Sequence, residues 1–194
     1  MKRVQHITRL MAFALILVAP LLLSAQSKFH GQDLIISVTG TSSLHDWEMK
    51  SRKAISEALI TINKDMVTIA SLSFTMPVET LKSGHNTMDK NTYKAIDSKK
   101  NPNIMFVLAS VTSITPTGAH TYLFKGTGKL TIAGTTKLTD IQATLKYNPA
   151  DKSFTCTGSK KIKMTEYGVK PPVAMLGTIK TGNEVSINYN INLK

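Results

Sequence analysis

The clearest pattern in the chain is an alternation. Between Tyr122 and Ile132 the even positions carry Tyr122, Phe124, Gly126, Gly128, Leu130 and Ile132, and the odd ones Leu123, Lys125, Thr127, Lys129 and Thr131. A period of two means a strand with one buried face. Ala133-Gly134-Thr135-Thr136 supplies turn chemistry, and Ile141, Ala143, Leu145 and Tyr147 resume the alternation on a partner strand. The two glycines on the oily row either let the sheet bend sharply or leave room for something else, so curvature around a cavity is expected.

The same pattern recurs along the chain. Leu34, Ile36 and Val38 form a row that stops at Gly40, and Ala58, Ile60 and Ile62 form another that ends at the Asn63-Lys64-Asp65 turn. Leu72, Phe74, Met76 and Val78 follow, with Pro77 placing that strand's end at an edge or a bulge. From Ile104 to Val111 both parities are apolar, which predicts a strand covered on both sides, with the neighbouring helix as the cover. Phe154 to Met164 reads as a strand with Lys161 and Lys163 facing out, and Val185, Ile187, Tyr189, Ile191 and Leu193 make the cleanest row of all.

Two stretches lack the two-residue period. Met88, Thr92, Ala95 and Ile96 share a helical face, with Asn86 or Thr87 as N-cap and Asp89 in the first turn, so one short helix is expected near residues 87–97. Residues 165–182, with Pro171 and Pro172 in their middle, read as a lid or binding loop.

Roughly eight to nine strands with one inserted helix make an all-β sandwich or a closed antiparallel barrel, and the inward glycines favour closure. An eight-stranded barrel has an interior that side chains fill or that holds one small ligand. The inward rows name the candidate lining: Phe74, Met76, Phe106 and Leu108, then Phe124, Leu130, Ile132 and Ile141, then Ile162, Met164, Val185, Ile187 and Tyr189. Each is a core residue first, and a ligand contact if the interior is unfilled.

Length and charge refine this picture. The 194 residues suit one domain. Lys2, Arg3 and Arg9 precede an apolar run from Leu10 to Leu23, and Ser24 and Ala25 follow, so residues 1–25 read as a secretory signal peptide and 26–194 as the mature domain. The apolar run is shorter than the roughly 20 residues that span a bilayer. Cleavage would remove three basic residues and take the formal charge from +12 to +9. In a periplasmic or secreted protein such a charge suits an anionic membrane surface or an acidic ligand head rather than nucleic acid.

Candidate chemistry is sparse. Cys156 is the single cysteine, which rules out an intrachain disulfide, and its register with Phe154 and Gly158 makes it a small buried apolar residue. His30, His45, His85 and His120 are scattered, without metal-ligand spacing or a nucleophile elbow. His45 and Asp46, adjacent in extended chain, point to opposite faces. His85 and Asp89 lie one helical turn apart and read as a surface pair. Trp47 is expected to anchor the core with a polar partner for its indole N–H. No catalytic or metal residue and no cofactor is assigned.

Three stretches resemble the YceI-like family, lipocalin-like exported proteins associated with polyisoprenoid binding. They are Met88-Asp89 through Tyr93 to Asn101-Pro102-Asn103-Ile104-Met105-Phe106, then Gly126-Thr127-Gly128-Lys129-Leu130-Thr131-Ile132-Ala133-Gly134-Thr135-Thr136-Lys137, and Glu166-Tyr167-Gly168-Val169. Met88-Asp89-Lys90-Asn91-Thr92 and Met164-Thr165-Glu166 depart from the arginine-bearing versions common in the family. The resemblance implies an eight-stranded lipocalin-like barrel around a long apolar tunnel. The expected function is non-enzymatic carriage or sequestration of a long apolar lipid such as a polyisoprenoid. The alternative is an exported stress or interaction module acting through its basic outer surface. Oligomeric state, a homodimer included, stays open.

Overall fold

The computed structural model describes residues 26–63, 66–174 and 177–194; the expected signal peptide lies outside them. The strands are β1 (Ser27–Ser42), β2 (Trp47–Ser51), β3 (Ile55–Asn63), β4 (Met66–Pro77), β5 (Asn103–Gly118), β6 (Thr121–Ile132), β7 (Thr135–Asn148), β8 (Ser153–Lys163), β9 (Val173–Ala174) and β10 (Ile179–Leu193). A single helix, α1 (Asn86–Ile96), stands between β4 and β5.

All strand pairings are antiparallel. The order β1-β3-β4-β5-β6-β7-β8-β10 returns to β1 through β1–β10 pairing, which closes an eight-stranded barrel, the closed form of the two the strand pattern allowed and the one the resemblance implied. β1 is long enough to serve two neighbours on one edge: its start pairs with β3 and its later part with β2. β9 adds two residues against the start of β10.

One end of the barrel is plugged. Phe154 is fully buried, with Phe29 edge-on at 5.4 Å and Tyr147 at 4.9 Å, and the backbones of His30 and Lys194 exchange hydrogen bonds of 2.8 and 2.9 Å beside them. Aromatic pairs at these spacings pack favourably beyond the area they bury.

The opposite end carries α1. His85 rather than Asn86 or Thr87 holds the N-cap position, and its side chain makes no capping bond. The stabilising contact comes from Asp89 in the first turn, whose Oδ1 accepts from the Ser83 amide at 2.8 Å and the Ser83 hydroxyl at 2.7 Å. The helix ends at Asp97 in the left-handed region (φ 55°). Tyr93 ties it down by donating its hydroxyl toward the carbonyls of Leu81 (2.7 Å) and Glu79 (3.0 Å).

This position of α1 corrects one expectation. The helix sits over the barrel's end rather than against its wall, so β5 is not covered on both sides: Met105 is 40%, Val107 52% and Val111 38% exposed. Its mixed apolar parity goes with register shifts against β6 between Leu108 and Ser110 and between Val111 and Ser113.

The inward glycines also behave differently from the simplest expectation. A Cβ at Gly128 would lie 2.2 Å from the Phe106 ring, and one at Gly158 would lie 2.3 Å from the Tyr189 hydroxyl. Aromatic rings of neighbouring strands lie across these glycines, so the space they free is filled by the sheet itself. Ala133 (φ 49°) and Gly134 (φ 75°) form the two-residue turn between β6 and β7, where positive φ at both positions matches the strand twist.

Candidate functional site

Between the aromatic plug and α1 the interior is not completely filled. A chamber of about 390 Å³ lies beneath the helix, and Met88, Thr92, Ala95 and Ile96, the expected helical face, line it. A smaller chamber of about 130 Å³ lies deeper in the barrel. Val38, Ile104 and Ile187 line both, so the two meet at a waist formed by β1, β5 and β10.

Most of the candidate lining falls on these walls. Ile132, Ile162, Met164, Val185 and Ile187 border the upper chamber. Phe74, Met76, Phe106, Phe124, Leu130, Ile141, Ile187 and Tyr189 border the lower. Leu108 borders neither and packs against the inner row around Gly126. Lining residues outside the candidate rows come chiefly from β2 and the irregular segments: Trp47, Met49 and Leu81 border the upper chamber, and so do Tyr167 and Val169 of the segment read as a lid or binding loop. β2 is too short for its alternation to register.

Trp47 takes its expected role, half-buried with its indole N–H donating to the Thr41 carbonyl at 3.0 Å and its ring over Gly40. The proline-containing segment borders the same chamber through Tyr167, Val169, Pro172 and Val173. Exposed Leu44 and Val173 mark its rim.

Tyr189, Cys156 and Asp89 are held by burial or by hydrogen bonds within the fold. Burial drives the Tyr189 phenol far above its ordinary pKa, with nearby Cys156 adding to the effect, and the neutral hydroxyl donates to the Gln142 carbonyl at 2.5 Å. Burial pushes the Cys156 thiol up to about 12, which makes it a poor nucleophile at neutral pH. Burial opposes ionisation of Asp89, but the Ser83 amide and hydroxyl and the Lys82 charge outweigh it and hold the carboxyl below its usual range. Among the described residues no group of three or more His, Cys, Asp or Glu side chains could hold a metal ion.

The stretches that carried the family resemblance meet at the open end. Asn101 donates its side-chain amide to the Ile96 carbonyl at 3.1 Å, and its Oδ1 lies 2.8 Å from where a Cβ at Gly134 would sit. Gly168, left-handed at φ 72°, faces Thr135. The helix end, the β6–β7 turn and the Tyr167-Gly168 turn together frame the upper chamber.

An antiparallel barrel plugged at one end and opening at the other from an apolar lumen defines a lipocalin-like fold. The chain belongs to the YceI-like domain family, whose model matches residues 24–193. Comparison with curated proteins by sequence finds no match. Among solved structures, BcnA of Burkholderia cenocepacia is similar at a TM-score of 0.62 and 21% identity, covering 82% of this chain and 95% of that one. A polyisoprenoid binding domain from Saccharophagus degradans, implicated in plant cell wall breakdown, aligns at a TM-score of 0.64 and 9% identity, covering 88% and 99%. These likenesses establish the shared fold.

Proposed function

We propose that this chain is a non-enzymatic binding protein that carries or sequesters a long apolar, isoprenoid-like lipid inside its barrel. The observation that carries this reading is the pair of abutting apolar chambers, about 390 and 130 Å³, beneath α1. Each methylene moved from water into such a lumen contributes about 0.8 kcal/mol before ordering costs. The Saccharophagus domain of the same fold is a polyisoprenoid binder, which supports the ligand class. Export to the periplasm or the medium belongs to the same reading and rests on the leader pattern of residues 1–25.

The test is a homologous series of linear isoprenoid alcohols titrated into lipid-stripped protein, with mass spectrometry of the organic extract of protein as first purified. Affinity should climb with chain length until the chambers are full and then level off. A protein that yields no lipid and shows no length dependence refutes the reading.

One observation favours a second reading, an interaction module acting through its outer wall. Met105, Val107 and Leu138 are exposed there, and Lys129 pairs in register with both Val107 and Leu138. Apolar residues interleaved with a cation suit a protein partner, a second copy of the chain included. Val107→Asp should then abolish association in light scattering or pull-down while leaving isoprenoid binding intact.

A further inference from the structure

The barrel wall has a seam. β7 pairs with β6 along its length down to Thr135, and β8 pairs with β10 as far as Lys163, but β7 and β8 pair with each other only from Ala143↔Gly158 to Asn148↔Ser153. Above that point the two strands run on without a mutual ladder. Tyr189 reaches across Gly158 to the Gln142 carbonyl and closes the last position of the joined part. At the other end the turn Met164–Tyr167 contacts both strands. Between these limits lies a lateral slit. Asp140, Ile141, Ala143 and Lys160 border both the lower apolar chamber and a half-polar groove on the outside of the barrel, so the interior and the outer surface meet there.

Lys160 is the unusual residue of this slit. It stands opposite Ile187 and in step with Ile162, on the row that faces the lumen, whereas Lys161 and Lys163 face out. Among the described residues its ammonium takes part in no ion pair, while Lys161 is bound to Glu184 at 3.3 Å. The nearby Asp140 belongs to the outward row and accepts from Thr127 at 3.2 Å. A lysine can lay its stem along an apolar wall and present its charge where water begins. A cation placed at that boundary, beside a chamber lined by carbon, matches an amphiphile whose tail lies inside and whose charged end stops at the wall.

We infer that the β7–β8 slit is a head-group site, in which Lys160 pairs with the anionic end of a single-chain amphiphile whose tail occupies the lower chamber. This rests on the apolar-lumen reading and adds to it the chemistry of the ligand's end, a carboxylate or a phosphate monoester. It also gives the lower chamber its own route to solvent, separate from the rim beneath α1.

A fluorescent polyene fatty acid and its methyl ester, titrated at a pH where the acid is ionised, test the inference. The wild type should bind the acid at least about tenfold more tightly than the ester, the scale of a charge-assisted hydrogen bond. Lys160→Met should erase that preference while leaving ester binding in place, Lys160→Arg should keep it, and Lys163→Met, on the outward row, should change nothing. Displacement of the ester by a long-chain alkyl phosphate and by the matching alcohol separates the two sources: a Lys160-dependent advantage for the phosphate larger than for the acid assigns a phosphate end, and the reverse assigns a carboxylate. If Lys160→Met leaves every anion-to-neutral ratio unchanged while chains still bind, the head-group site is refuted and the apolar lumen stands. If neither acid nor ester binds, the lumen reading itself fails and the inference with it.

Discussion

Gly128→Ala isolates the physical basis of the inner wall. The new methyl carbon would lie 2.2 and 2.4 Å from two carbons of the Phe106 ring and 2.8 Å from the Val107 carbonyl oxygen. The ring borders the lower chamber and can turn toward it, whereas the carbonyl is held in the backbone pairing of β5 with β6. Overpacking of this kind costs about 1–3 kcal/mol. In a domain of this size each kcal/mol lowers the melting temperature by roughly 2–4 °C. Urea unfolding followed by circular dichroism measures the loss. Phe106→Leu in the same background removes the clashing ring carbons, so the double variant should recover part of the loss, with a coupling energy of roughly 0.5–3 kcal/mol. The displaced ring also takes volume from the lower chamber, so Gly128→Ala should weaken binding of long chains more than short ones. A neutral Gly128→Ala, or a double variant whose losses simply add, would refute the account in which Phe106 occupies the glycine's empty face.

Two further outcomes are expected. Asp89→Asn should destabilise the chain by about 1 kcal/mol at neutral pH, because the amide oxygen can still accept from Ser83 and only the extra strength of a charged acceptor is lost. Because the folded carboxyl titrates below its ordinary value, its contribution is complete above about pH 4 and is lost as pH falls through the folded value. Wild type and Asn variant should therefore converge in acid, and a gap that persists through the acid limb of a stability profile counts against the ionised Asp89–Ser83 contact. Cys156, with its thiol pushed up to about 12, should resist iodoacetamide in the native protein and label readily in denaturant. Rapid native labelling would mean that the thiol ionises more easily than its buried setting allows.

Burial and alternation are local properties, which is why the strands, their inward faces and the helical stripe of Met88, Thr92, Ala95 and Ile96 are legible in the amino-acid order. An outward lysine beside an inward isoleucine in β8 needs nothing beyond a period of two. The buried state of Cys156 follows in the same way from its register with Phe154. Other features depend on which strands become neighbours. The exposure of Met105 and Val107 follows from α1 settling over the barrel's end instead of its wall. The contents of the space at Gly128 and Gly158 depend on Phe106 and Tyr189 lying opposite them across a ladder. Lys160 can be placed on the inner row by counting from Ile162, yet its meaning depends on the β7–β8 pairing stopping at Gly158. Where two strands part is set by ring closure and by competing contacts far apart in the chain, which no local pattern of side chains encodes.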